Sequence, residues 1–155
     1  VRRSEKPLPL LVADLGEQPA EAILREIGEP RLRGMLRLAG YIPNSDLPAI
    51  YNEASAFLYT SLRESFGIPQ LEAMACGTPV VTSAASAIPE VAGQGAILVD
   101  PTDPTAIADA LLRLETDTEF RAGQVAYGLE RVKQFSWEKT ARHLLALYES
   151  LGKTN

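Results

Sequence analysis

Short apolar runs alternate with helix-patterned stretches along most of this chain. Apolar runs fall at residues 8–13, 35–38, 56–59, 80–82 and 96–99. Arg37 interrupts the second run; the others do not alternate apolar with polar, as a strand with one wet face would, so the pattern predicts strands covered on both faces. Between them lie helical segments: residues 19–27, a helix after Asn44, Ser45 and Asp46 carrying Leu47, Ile50, Tyr51 and Ala54, residues 67–75, and a short turn at 89–92. Gly28 and Gly77 stand where helices end, and Pro79 follows as a further stop. Strand–helix alternation with such short links demands parallel strands joined by crossovers. The expected fold is therefore α/β, one doubly wound parallel sheet in a three-layer α/β/α domain over residues 1–155. Three helices close the chain, at 104–114, 119–132 and 137–151, the last opened by Ser136 with Ala141, Leu144, Leu145 and Tyr148 on one face. Residues 152–155 are expected to fray. In sheets of this kind ligands sit beyond the carboxyl ends of the strands. The chemistry is expected in the loops after Ala13, Leu38, Tyr59, Thr82 and Val99.

Composition removes several function classes. Fifteen Lys and Arg against twenty Asp and Glu give a net charge of -5, the wrong balance for a duplex-binding domain, so no nucleic-acid partner is expected. No apolar run reaches the roughly 18 residues of a transmembrane helix. The one cysteine, Cys76, and the one histidine, His143, assemble neither a disulfide nor a Cys- or His-rich metal site. A lone cysteine fits a reducing compartment. The first residues, Val1 to Lys6, have no apolar core and are not a signal peptide. They begin without Met, so the natural start is expected to lie upstream.

The loop after the third strand is the most informative segment: Thr60-Ser-Leu-Arg-Glu64-Ser-Phe-Gly67-Ile-Pro69-Gln-Leu-Glu72. Gly67 removes a side chain where backbone would approach a ligand. Pro69 sits at the start of the following helix, so the amides near Gly67 and Ile68 lie at a helix N-terminus, a natural anion site. Two carboxylates bracket the turn. On one continuous helix Glu64 and Glu72 would stand about 12 Å apart along the axis. Gly67 and Pro69 break that helix, which lets Glu64 fold back toward the same pocket. A carboxylate beside a phosphate repels it, but a carboxylate accepts two hydrogen bonds from the diol of a ribose or sugar. Phosphate on amides with hydroxyls on carboxylates describes a sugar nucleotide.

The stretch Glu64-Ser-Phe-Gly-Ile-Pro-Gln-Leu-Glu72-Ala-Met-Ala-Cys-Gly-Thr-Pro-Val-Val resembles the E-x7-E signature of retaining GT-B glycosyltransferases of the group 1 type. Gly40-Tyr41-Ile42 with the helix after it, Pro89-Glu90-Val91, Val99-Asp100-Pro101 and Phe135-Ser136-Trp137 extend the likeness over roughly residues 8–151. The resemblance implies the C-terminal, donor-binding half of a two-domain enzyme that moves a hexose-type sugar from a UDP- or GDP-sugar to a glycan or lipid acceptor. It implies that Glu72 holds the ribose, that Phe66, Gly67 and Ile68 face sugar and diphosphate through their backbone, and that Gly40, Tyr41 and Ile42 border the base. Glu64 is the implied catalytic residue, orienting the donor sugar and stabilising an oxocarbenium-like transition state. No cofactor and no metal are implied. A cytoplasmic location follows, membrane-peripheral through a domain this chain lacks.

Departures from the family pattern set further expectations. The Arg and Lys that neutralise the diphosphate lie upstream of the first strand in the family, and Arg2, Arg3 and Lys6 do not match their position or spacing. Ala13-Asp14-Leu15-Gly16 replaces a glycine-richer turn. A first strand, a first helix and the acceptor domain are expected outside this chain, and the chain alone is expected to be inactive. Plainer roles compete at single positions: Arg63 as a surface charge, Gly40 and Tyr41 as an ordinary strand exit, Ser83 and Ser86 as turn formers, Cys76 and His143 as structural residues, Trp137 as a core anchor. The alternative function is a non-catalytic nucleotide-binding or protein-interaction module on the same fold.

Overall fold

A computed structural model describes residues 8–152; Arg2, Arg3, Lys6 and the end of the tail lie outside the described residues. The chain divides into two compact units, residues 1–50 and 51–155. In the first, β1 (Leu10–Ala13) pairs in parallel with β2 (Leu36–Gly40), Leu10 opposite Leu36. Helix α1 (Glu17–Glu26) and a 3-10 turn at Pro30–Met35 connect them. That turn had no periodic signal in the sequence, and it delays β2 to Leu36. Arg33 in the turn forms an ion pair with Glu17 at the start of α1. Helix α2 (Leu47–Glu53) runs across the division between the units.

The second unit holds a three-stranded parallel sheet, β3 (Phe57–Tyr59), β4 (Val80–Ser83) and β5 (Ala96–Val99), with β4 in the centre. Helix α3 (Ile68–Ala75) connects β3 to β4, and the short α4 (Ile88–Ala92) connects β4 to β5. Then follow α5 (Pro104–Thr116), α6 (Thr118–Val132) and α7 (Trp137–Gly152). The parallel pairing and the helical crossovers are those expected from the sequence, and the fold class is α/β.

Every residue of β4 is buried. Val81 joins Val99 and Leu114 in a core flanked by Leu58, Ile97, Leu111 and Phe120. Val80 points to the opposite face and is equally inaccessible. Each valine contributes about 1.5–3 kcal/mol by burial, which makes β4 the anchor of the unit. A second contact brings α3 against α6: a Cβ placed on Gly128 would stand 3.1 Å from Met74 Cγ, so any side chain there would press on the fully buried Met74. Asp103 caps α5 through Thr105 N and Ala106 N, and Asp117 caps α6 through Phe120 N.

Burial on both faces, expected of all strands, holds only for β4. Leu10 and Leu11 of β1 are 46% and 45% exposed: they point to opposite faces of the two-stranded sheet, and the described residues cover neither face fully. Trp137 is no core anchor: it is 82% exposed at the first position of α7, a helix with no buried residue. Its apolar positions, Leu144, Leu145 and Tyr148, repeat at helical spacing yet remain in solvent. His143 is exposed on the same helix.

Candidate functional site

The loop leaving β3 and the loop leaving β4 meet beyond the carboxyl ends of those strands. Ser86 closes the meeting. Its hydroxyl donates to Glu64 O at 2.7 Å and accepts from Glu64 N at 3.3 Å. Ser86 adopts a left-handed backbone, φ 58°, unusual for a residue with a side chain. One serine therefore holds both backbone polar groups of Glu64. Ser83, by contrast, is buried and serves the turn, accepting from Ala85 N.

The Glu64 carboxylate is half-buried and receives the Tyr59 hydroxyl at 2.5 Å on Oε1. Burial raises the Tyr59 phenol to about 12, with the hydrogen bond to Glu64 and its charge adding to the shift. Glu72 lies on α3, exposed, with Tyr51 Oη 3.4 Å from its Oε2, a long hydrogen bond. Burial, then the Glu72 charge, raises the Tyr51 phenol to about 12 as well. Both tyrosines therefore stay protonated donors through the neutral range.

Gly67 opens α3 from the left-handed region, φ 86°, and its first turn has no side-chain cap. A side chain is disfavoured on two counts. An L-residue is strained at that φ, and its Cβ would lie 3.0 Å from Gln70 Nε2 and 3.6 Å from Tyr59 Cε1. Gln70 is wholly buried beneath the turn; its Nε2 reaches Phe66 O at only 3.5 Å and its Oε1 has no partner among the described residues. Phe66 is 40% exposed and packs edge-on against Phe135, ring centres 5.7 Å apart. Ile68 is exposed.

Of the eight residues predicted to form the site, Glu64, Phe66, Gly67, Ile68 and Glu72 thus share one turn and its helix. Gly40, Tyr41 and Ile42 belong to the other unit, at the end of β2. There Gly40 O accepts from Asp14 N at 2.9 Å, Gly40 takes φ 61°, and Tyr41 is 78% exposed. Asp14 adopts φ 55°, so the glycine-poor turn after β1 still uses a left-handed residue. Arg63 is exposed.

A pocket of about 160 Å³ lies beside this turn, lined by Ser65, Phe66, Glu90, Val91, Arg131 and Phe135 among others. Phe66 is the one predicted site residue on its wall. Arg131 is committed to the backbone of α4: Nε donates to Val91 O at 2.9 Å and Nη2 to Glu90 O at 2.5 Å, while its guanidinium lies over the Phe135 ring. Among the described residues no three His, Cys, Asp or Glu side chains converge as a metal site would require, and no helix is long and apolar enough to cross a membrane. Tyr51, Tyr59, Gln70 and Arg131 had no sequence signal as single residues, and Ser86 was expected only to form its own turn. The one available hint was that Tyr59 ends a strand at the ligand-facing edge.

The family model for glycosyl transferases group 1 matches residues 1–131. The chain belongs to the glycosyl transferases group 1 family. The match stops short of Phe135-Ser136-Trp137. Over 118 residues the chain is 42% identical to the O-antigen chain mannosyltransferase B of Escherichia coli, an alignment covering 76% of this chain and 31% of that protein. Over 133 residues it is 37% identical to a D-inositol 3-phosphate glycosyltransferase of Corynebacterium urealyticum, covering 84% of this chain and 31% of the relative. A sucrose-phosphate synthase from Thermosynechococcus elongatus superposes with a TM-score of 0.79 at 28% identity, covering 94% of this chain and 39% of the other. The chain thus spans about a third of the length of the curated relatives it matches.

Proposed function

We propose that this glycosyltransferase-family chain binds the nucleotide-sugar donor of a retaining hexosyltransferase. The observation that carries the reading is the uncapped, left-handed opening of α3 at Gly67, flanked by two carboxylates that are each paired with a tyrosine. Free amides at Gly67 and Ile68 suit a diphosphate. Glu72 is exposed and acceptor-only when ionised, which suits a ribose diol. Phe66 offers its backbone to the same donor. The sequence resemblance alone assigns Gly40, Tyr41 and Ile42 to the base; within its own unit Tyr41 presents an exposed ring.

Glu64 is assigned beside the reacting carbon of the sugar. Its carboxylate, preset by Tyr59, opposes the positive charge that develops as the bond to the diphosphate breaks. The helix N-terminus offers its amides and positive dipole end to the negative charge of the departing nucleotide. The acceptor, a glycan on the likeness to an O-antigen chain mannosyltransferase, belongs to a part of the enzyme beyond this chain. A nucleotide-sugar donor together with the lone Cys76 favours a cytoplasmic location.

Calorimetric titration with UDP-glucose and GDP-mannose tests the reading. One of them is expected to bind, more tightly than its free nucleoside diphosphate. Binding of neither would defeat it. The chain by itself is expected to transfer no sugar, and turnover by the purified 155 residues would contradict that part.

A further inference from the structure

Two acids stand eight residues apart at 64 and 72, and two tyrosines stand eight residues apart at 51 and 59. Each tyrosine reaches one acid: Tyr59 touches Glu64, Tyr51 touches Glu72. The two phenols are also joined to each other through Phe57. The Tyr51 ring meets Phe57 edge-on at 5.2 Å, and Phe57 stacks on Tyr59 at 5.8 Å with planes 17° apart. Both ends of this column are tied to the scaffold. Tyr51 O accepts from Thr78 Oγ1 at 2.5 Å, and Tyr59 O accepts from Thr82 Oγ1 at 2.9 Å, with Tyr59 in register opposite Thr82 of the buried β4.

Glu64 itself lies on a loop, where a glutamate side chain would otherwise sample many rotamers. Ser86 fixes its backbone from one side. The Tyr59 phenol takes one carboxylate oxygen, Oε1, and leaves Oε2 to meet a ligand. We propose that Tyr59 is a positioning residue for Glu64: its hydroxyl, held by the Tyr51–Phe57–Tyr59 column, locks the Glu64 carboxylate in the rotamer that faces the donor sugar. This rests on the donor reading above. The phenol touches no sugar itself; it acts by removing the freedom of the acid that does.

The test uses the 155-residue chain and four probes: UDP, UDP-glucose, GDP and GDP-mannose. The readout is the ratio of affinities, sugar nucleotide over free nucleotide, for whichever pair the unaltered chain prefers. Tyr59→Phe keeps the ring and its stacking and deletes the hydroxyl. It is expected to lower the ratio about five- to tenfold while the affinity for free nucleotide stays within about twofold. In a Glu64→Ala background the same change is expected to have no further effect. Thermal unfolding of each variant separates this from a loss of fold.

A ratio unchanged by Tyr59→Phe but collapsed by Glu64→Ala would overturn the positioning role and leave the donor reading standing. So would a loss that persists in the Glu64→Ala background, or one that affects free nucleotide and sugar nucleotide equally in step with the melting temperature. An unaltered chain that shows no preference for sugar nucleotide would overturn the donor reading and this role with it.

Discussion

Replacing Gly67 by alanine adds a single methyl group at the turn on which the donor reading depends. The backbone there sits at φ 86°, where an L-residue pays about 1–2 kcal/mol. The new Cβ would lie 3.0 Å from Gln70 Nε2, tighter than most side-chain contacts, so Gln70 must give way by a few tenths of an ångström. Gln70 has no solvent to swing into, being wholly buried, so the clash adds about 1–2 kcal/mol of overpacking. Against this, alanine stiffens the unfolded chain and recovers about 0.4–1 kcal/mol. The net expectation is a loss of about 2 kcal/mol. Urea denaturation followed by far-UV circular dichroism reads it as a lower midpoint at unchanged slope, and a thermal scan as a drop of about 4–8 °C. Nucleotide affinity should fall as well, because the strained φ and the displaced Gln70 shift the amides that open α3. A stability loss below about 0.5 kcal/mol would refute the reasoning, since it would mean that the turn is neither strained nor closed from below.

Three other outcomes are expected. Burial and the paired acids raise the Tyr51 and Tyr59 phenols to about 12, so the folded chain favours their protonated forms. That stabilisation is complete below about pH 10 and fades as pH rises through 12. In a titration at 295 nm, Tyr59→Phe should remove one late phenolate with a midpoint near 12. Asp103→Ala deletes both capping acceptances at the start of α5 and should cost about 1 kcal/mol in chemical denaturation. Trp137→Ala, at a side chain 82% exposed, should change stability by less than about 0.5 kcal/mol while shifting the tryptophan emission signal to zero, as this is the chain's one tryptophan.

The sequence was most legible where local chemistry decides structure. β5 was expected and found at residues 96–99, because its apolar run is closed on both sides by turn residues. Gly67 and Pro69 marked the start of α3 to within one residue, since a first-turn proline is a local signal. Long-range packing was not legible. The leucines of β1 read as doubly buried, yet a run of apolar side chains carries no information about what lies on top of it. Trp137 failed the same way: its size argues for burial, and its place at the outer start of α7 decides otherwise. The tyrosine–glutamate pairs join residues 21 and 5 positions apart through a fold that no periodicity encodes. The Ser86 clasp joins two loops 22 residues apart, and single serines in loops usually serve only their own turn.

Amide mapping by two-dimensional NMR of the labelled chain during addition of UDP-glucose or GDP-mannose tests the central claim most directly. The account predicts that the largest shifts fall on Gly67, Ile68 and Gln70 at the opening of α3, with Glu72 close behind, and that Glu72→Ala weakens the binding that produces them. Shifts confined to α6 and α7, or to the pocket wall at Arg131 and Phe135, with the α3 amides unmoved, would contradict it.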